Sequence, residues 1–127
     1  MKAIAVTTII AALISTTVAV AETKGALKNK HLTMLIENGI TLKLGGEGHG
    51  YVGSLKLTKD GRGTGSAKTD SGRTINIDGT WAVKGDQFCR TWKDLDEGKE
   101  VCETWISTSP RSVDVYKGDQ KLGVNSW

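Results

Sequence analysis

Proline is almost missing from this chain: Pro110 is the single one in 127 residues, against 16 glycines. That balance points to many tight turns rather than long helices. Histidine is also scarce. His31 and His49 are the two present, and neither has a partner at metal-ligand spacing, so a histidine-based metal centre is not expected. No G-x-S-x-G, H-E-x-x-H or paired-carboxylate pattern stands out, so no nucleophile–base set argues for a hydrolase. Charge of one sign is lacking too: Lys plus Arg is 17, Asp plus Glu is 14, net +3. Such a small excess argues against a dedicated nucleic-acid binder. With 38% apolar and 24% charged residues the composition is that of an ordinary globular protein. The length suffices for one domain, and length and composition together argue against multidomain enzymes, collagen-like repeats and disordered tails.

Long hydrophobic runs are absent after the first segment. Residues 1–21 read as a secretory signal peptide: Lys2 is the positive n-region, residues 3–14 the apolar h-region, and Ala19-Val20-Ala21 the small-x-small cleavage pattern. The competing reading is an uncleaved anchor. Thr7, Thr8, Ser15, Thr16 and Thr17 make the run a poor permanent span. No cysteine near the cleavage site offers a lipid anchor. The expectation is a secreted or periplasmic protein whose mature chain, residues 22–127, forms one β-rich domain with no membrane span. In an oxidising compartment Cys89 and Cys102 are most simply one disulfide.

One segment has helical spacing. Leu27, Leu32, Leu35 and Ile36 approximate a 3.6-residue stripe, and Gly39 stands where a C-terminal cap belongs. Beyond Thr41 the pattern alternates with period two, which predicts strands near 41–45, 50–58, 63–69, 73–84, 87–92, 101–106, 111–117 and 120–126. Eight short strands with short connections predict an antiparallel meander, barrel-like, with the helix covering one opening. A sandwich is the alternative closure. Lys84-Gly85-Asp86-Gln87 recurs as Lys117-Gly118-Asp119-Gln120, and Gly-Asp suits a two-residue type II′ hairpin turn.

Those turns set a register. A two-residue turn at Gly85-Asp86 pairs Val83 with Phe88, Ala82 with Cys89 and Trp81 with Arg90. A Cys89–Cys102 bridge between adjacent strands pairs Arg90 with Val101 and Phe88 with Glu103. Because side chains alternate, one face then carries Ile75, Ile77, Gly79, Trp81, Val83, Phe88, Arg90, Trp92, Val101, Glu103 and Trp105. This is the predicted core side, and Gly79 marks a bend in a long strand. Arg90 and Glu103 are diagonal neighbours on it. They form either a satisfied ion pair at a barrel rim or part of a cavity lined by Trp81, Trp92 and Trp105, in which Arg90 orients a polar group of a ligand.

Other motifs carry less. Gly48-His49-Gly50-Tyr51-Val52-Gly53 formally matches G-x-G-x-x-G, but no βαβ pattern surrounds it. The segment Gly61-Arg62-Gly63-Thr64-Gly65 reads as a turn. Asp94, Asp96, Glu97 and Glu100 read as a solvated acidic loop, because Gly98 falls at the fifth loop position and not the sixth that an EF-hand needs.

Gly79-Thr80-Trp81, Gly85-Asp86, Cys89, Trp92 and Cys102, with the Leu32 to Gly39 helix upstream, resemble a family of small secreted proteobacterial proteins classed as a domain of unknown function. The resemblance implies an exported, disulfide-containing β-rich domain and supplies no catalytic residues. The pattern is also loosely similar to lipocalin- and avidin-like barrels. The expected protein is a non-enzymatic module of the bacterial envelope or periplasm with no cofactor and no nucleic-acid partner. It would bind a small molecule, glycan or protein through Trp81, Arg90, Trp92, Glu103 and Trp105. The alternative is a secreted inhibitor or host-directed effector acting through exposed loops at 45–50 and 93–100.

Overall fold

The structure, a computed structural model, describes residues 25–127; the proposed signal peptide lies outside the described residues. A helix, α1 (Asn29–Ile36), precedes eight strands: β1 (Ile40–Gly46), β2 (Tyr51–Leu57), β3 (Arg62–Thr69), β4 (Thr74–Lys84), β5 (Gln87–Trp92), β6 (Glu100–Ser109), β7 (Ser112–Lys117) and β8 (Gln120–Ser126). Each strand pairs antiparallel with the next, and β8 returns to β1, so the sheet is a closed barrel. The eight strands match the period-two segments to within three residues at either end. The helix starts later than its apolar stripe suggested. Leu27 stays outside it, its backbone N–H donating to the Trp105 carbonyl at 2.8 Å, because Ala26 forms an isolated bridge with Ile106. Gly39 takes φ +83°, and its N–H closes the helix on the Ile36 carbonyl at 2.7 Å.

Both Gly-Asp turns behave as their chemistry requires. Gly85 and Gly118 adopt φ +57° and +56°, the positive first position of a type II′ turn. The β4–β5 register is therefore Val83 opposite Phe88, Ala82 opposite Cys89 and Trp81 opposite Arg90. In β5–β6, Cys89 faces Cys102, Arg90 faces Val101 and Phe88 faces Glu103. Cys89 and Cys102 are joined as a disulfide across directly opposed positions, with Cα atoms 4.0 Å apart.

The helix occupies one end of the barrel, beside the β4–β5 turn. Asp86 accepts the Asn29 N–H at 2.8 Å and so places a carboxylate on the N-terminal amides of α1. Leu32 and Ile36 are completely buried and join Leu42, Leu57, Phe88, Trp105 and Val113 in the core. The loops at the other end, 47–50, 70–73, 93–99 and 118–119, carry no such cover among the described residues.

Glycines shape the wall of β2–β3–β4. The segment from Arg62 onward is not a turn: only Gly61 belongs to the connection, and Gly63 and Gly65 are inward positions of β3. A Cβ at Gly63 would lie 2.7 Å from the Trp92 ring, and one at Gly79 would lie 1.9 Å from the Thr91 carbonyl oxygen. The missing side chains let strands coil tightly and leave room for an indole inside.

Two stability predictions follow from this geometry. Replacing Cys89 and Cys102 together by serine removes a cross-link over a separation of 13 residues and should lower unfolding free energy by roughly 3 kcal/mol. Denaturant titration of the oxidised protein against the variant measures it; coincident curves, or free thiols alkylated in the unreduced protein, would refute the bridge. Gly79→Ala should cost about 1–3 kcal/mol, the usual range for forced overpacking. An unchanged denaturation midpoint would show that β4 has slack at that bend.

Candidate functional site

The sorting of side chains that builds the barrel also places two charged groups inside it. Arg90 on β5 and Glu103 on β6 both point inward, with side chains 11% and 9% exposed. Arg90 Nε donates to Glu103 Oε2 at 3.0 Å. The other carboxylate oxygen, Oε1, accepts the indole N–H of the fully buried Trp105 at 3.1 Å. Arg90 Nη1 donates to Asp96 in the β5–β6 connection. Burial pushes the Glu103 carboxyl above the usual glutamate range, against the opposing pull of the Arg90 charge and the Trp105 N–H.

The acidic loop is therefore not merely solvated. Asp96 is drawn in to Arg90, and Glu100 pairs with Lys84 at 2.7 Å. Asp96 and Glu97 hold left-handed backbone conformations at φ +52° and +58°, which non-glycine residues adopt at a cost. The loop carries that strain while the Asp96–Arg90 bond and the packing of Leu95 against the core fold it over the barrel end.

Beside Arg90 lies a cavity of about 220 Å3. Arg90, Glu103 and Trp92, three of the five candidate residues, line it, and Phe88 forms part of its wall. Leu95 and Leu122 also line it and come from the β5–β6 connection and β8, which places its mouth at the end away from α1. Trp81 and Trp105 do not line it. Trp81 belongs to the helix end: its indole N–H donates to the carbonyls of Thr58 and Arg62, each at 3.0 Å. Trp105 is sealed in the core, its ring 4.8 Å from Phe88, whose ring lies 6.1 Å from Trp81. These three aromatics fill the barrel behind the cavity.

Two contributors were not legible from local pattern. Asn125 on β8 is 9% exposed and lines the cavity. Tyr51 on β2 also lines it, and its hydroxyl accepts the Val124 N–H at 2.9 Å. This bond spans the β1–β8 seam, where just two residue pairs, Lys43 with Ser126 and Leu44 with Asn125, close the barrel. The tyrosine fits because Gly45 and Gly123 have no side chains: a Cβ at Gly123 would lie 1.9 Å from the phenolic oxygen. Among the described residues, potential metal-ligand atoms gather at one place, Cys89, Glu100 and Cys102, and there both sulfurs are tied in the disulfide.

Fold and site together define a small closed up-and-down β-barrel, helix-capped at one end and hollow at the other. Comparison of the chain with models of known protein families, with curated proteins and with solved structures yields no match.

The raised Glu103 carboxyl gives a pH prediction. A carboxyl that holds its proton more tightly when folded contributes stability at low pH and loses it as pH rises through its folded value. As pH rises above the ordinary glutamate value, about 4.3, wild-type unfolding free energy should contain a falling component that Glu103→Gln lacks. Chemical denaturation of both proteins from that value upward tests it; a wild type that gains stability relative to the variant as pH rises would show that Arg90 outweighs burial.

Proposed function

We propose that this protein is an exported, non-catalytic binding module of the bacterial envelope or periplasm that holds a small molecule in the open end of its barrel. The observation that carries the reading is the cavity beside Arg90: about 220 Å3, mostly apolar, with a few polar groups converging on it. An eight-stranded barrel has an interior just wide enough to be filled by side chains or to hold one small ligand. Here the aromatic cluster fills one half and leaves the other open. Pockets for drug-sized ligands run to roughly 300–1,000 Å3, so the ligand here is smaller than that. A glycan chain would not enter and would have to bind outside.

The site draws on Arg90, Trp92 and Glu103. Trp81 and Trp105 support it from behind. Export is supported by the signal-peptide pattern of residues 1–21 and by the disulfide. A second reading, an inhibitor or effector acting through loops at 45–50 and 93–100, is favoured by one fact: both loops lie at the same open end of the barrel.

Native mass spectrometry of the exported protein, purified without reductant from its own host, tests the choice. A bound adduct of defined mass is expected, and Leu122→Trp should abolish it by blocking the mouth. Leu122 is 37% exposed, so the change leaves the core intact. An adduct that survives Leu122→Trp lies elsewhere and sinks the cavity reading; a clean apo mass turns attention to the loops.

A further inference from the structure

The backbone of Asn125 helps close the β1–β8 seam, but its side chain sits in the cavity wall and bonds to nothing in the described fold. Its inward position is set by pairing opposite Val113 and Leu44. Ninety-one per cent of its surface is removed from water, yet its side-chain amide makes no hydrogen bond to any described residue. Among the described residues no buried side-chain polar atom is left sealed without a partner, so the amide atoms that lack one open onto the cavity they line. Nearly buried amides are normally satisfied within the protein or by a bound group.

The charged groups that line the same cavity narrow what that group can be. The single positive charge of Arg90 is already faced by two carboxylates, Glu103 at 3.0 Å and Asp96. An anionic ligand would bring a third negative group to that cluster. A cationic ligand would meet the guanidinium. A neutral ligand avoids both. The Asn125 amide offers one acceptor oxygen and an NH2 donor side by side, which complements a carbonyl adjoining an N–H. Tyr51 holds a hydroxyl at the neighbouring Val124 N–H, and with its own proton uncommitted it is a further donor for a carbonyl oxygen.

Resting on the cavity reading above, we infer that the ligand is an uncharged small molecule whose polar end is a carboxamide, lactam or urea-type group recognised by Asn125. Its remainder is one ring or a short chain: the 220 Å3 cavity exceeds the roughly 150 Å3 that accommodates benzene and falls short of drug size. The apolar wall of Leu44, Leu55, Ile77 and Trp92 takes this part.

Three probes of one skeleton separate the alternatives: hexanamide, hexanoate and hexylammonium, titrated into the intact oxidised protein and followed by amide NMR. Hexanamide should bind most tightly and shift the Asn125 side-chain amide signals. Asn125→Leu, close in shape, should weaken hexanamide by roughly tenfold or more while leaving thermal stability equal or higher. Tighter binding of either charged probe overturns the neutral-ligand inference and leaves the cavity reading standing. A destabilised Asn125→Leu assigns the residue to the fold and overturns it as well. If none of the three binds, and Leu122→Trp is indistinguishable from wild type, the cavity reading itself falls and takes the inference with it.

Discussion

A single carboxylate, Glu103, holds the interior of this barrel in its present form. One of its oxygens takes the Trp105 indole N–H and the other takes Arg90 Nε, so a tryptophan at the very centre of the core and a guanidinium at the cavity wall are fixed by the same group. A charge this deep is tolerated only when its oxygens are satisfied, and both are. The remaining Arg90 bond reaches out to Asp96 and anchors the one connection whose backbone is strained. Core, cavity and rim loop are thus linked through four side chains, Trp105, Glu103, Arg90 and Asp96. Removing Glu103 outright would leave an indole N–H and a guanidinium without their buried acceptor, a larger disturbance than the loss of one ion pair.

The two ends of the barrel are built differently because the inward residues taper in kind. Toward α1 they are Phe88, Trp105, Trp81, Leu57 and Leu42, which form one core cluster with Leu32 and Ile36 of the helix. Toward the opposite loops the inward positions include Gly53, Gly65, Ala67 and Gly123, which contribute little volume. Small residues there serve two ends at once. They allow neighbouring strands to approach closely, as the short distances from a hypothetical Cβ at Gly53 and Gly65 show, and they leave space that no side chain fills. The hollow is a consequence of how the wall bends.

Much of this arrangement was readable because its determinants are local. Two Gly-Asp turns and one cysteine pair fix the phase of β4, β5 and β6, and once the phase is known every inward residue follows from alternation. Trp92, Arg90 and Glu103 were found that way. Trp81 and Trp105 were placed on the correct face, but phase says nothing of depth along the barrel, and both lie behind the cavity. Asn125 was hidden for a different reason. Counting back from the Gly118-Asp119 turn puts Asn125 on the outer face. A bulge between Val115 and Tyr116 shifts the register, so that Val115 pairs with Gly123 and Val113 with Asn125. One extra residue, Leu122, reverses the facing of everything after it. Tyr51 was hidden because its role depends on closure between the first and last strands, a contact that no local pattern reports.

That bulge also shapes the cavity. Without it, Val124 would face inward, the seam would carry another aliphatic side chain, and the cavity would have no polar group on the β8 side. With it, Leu122 comes to the mouth, Gly123 makes room for the Tyr51 ring, and Asn125 turns in. The three changes share one cause and one location. The β1–β8 ladder is also weakest there, with two residue pairs and a tyrosine hydroxyl in place of a backbone partner for Val124. An irregularity that shortened a ladder and left a nearly buried amide without a bond would be a pure loss to stability in a barrel that only had to fold. Placed at this cavity, it sets polar groups around the space on which the proposed binding role rests.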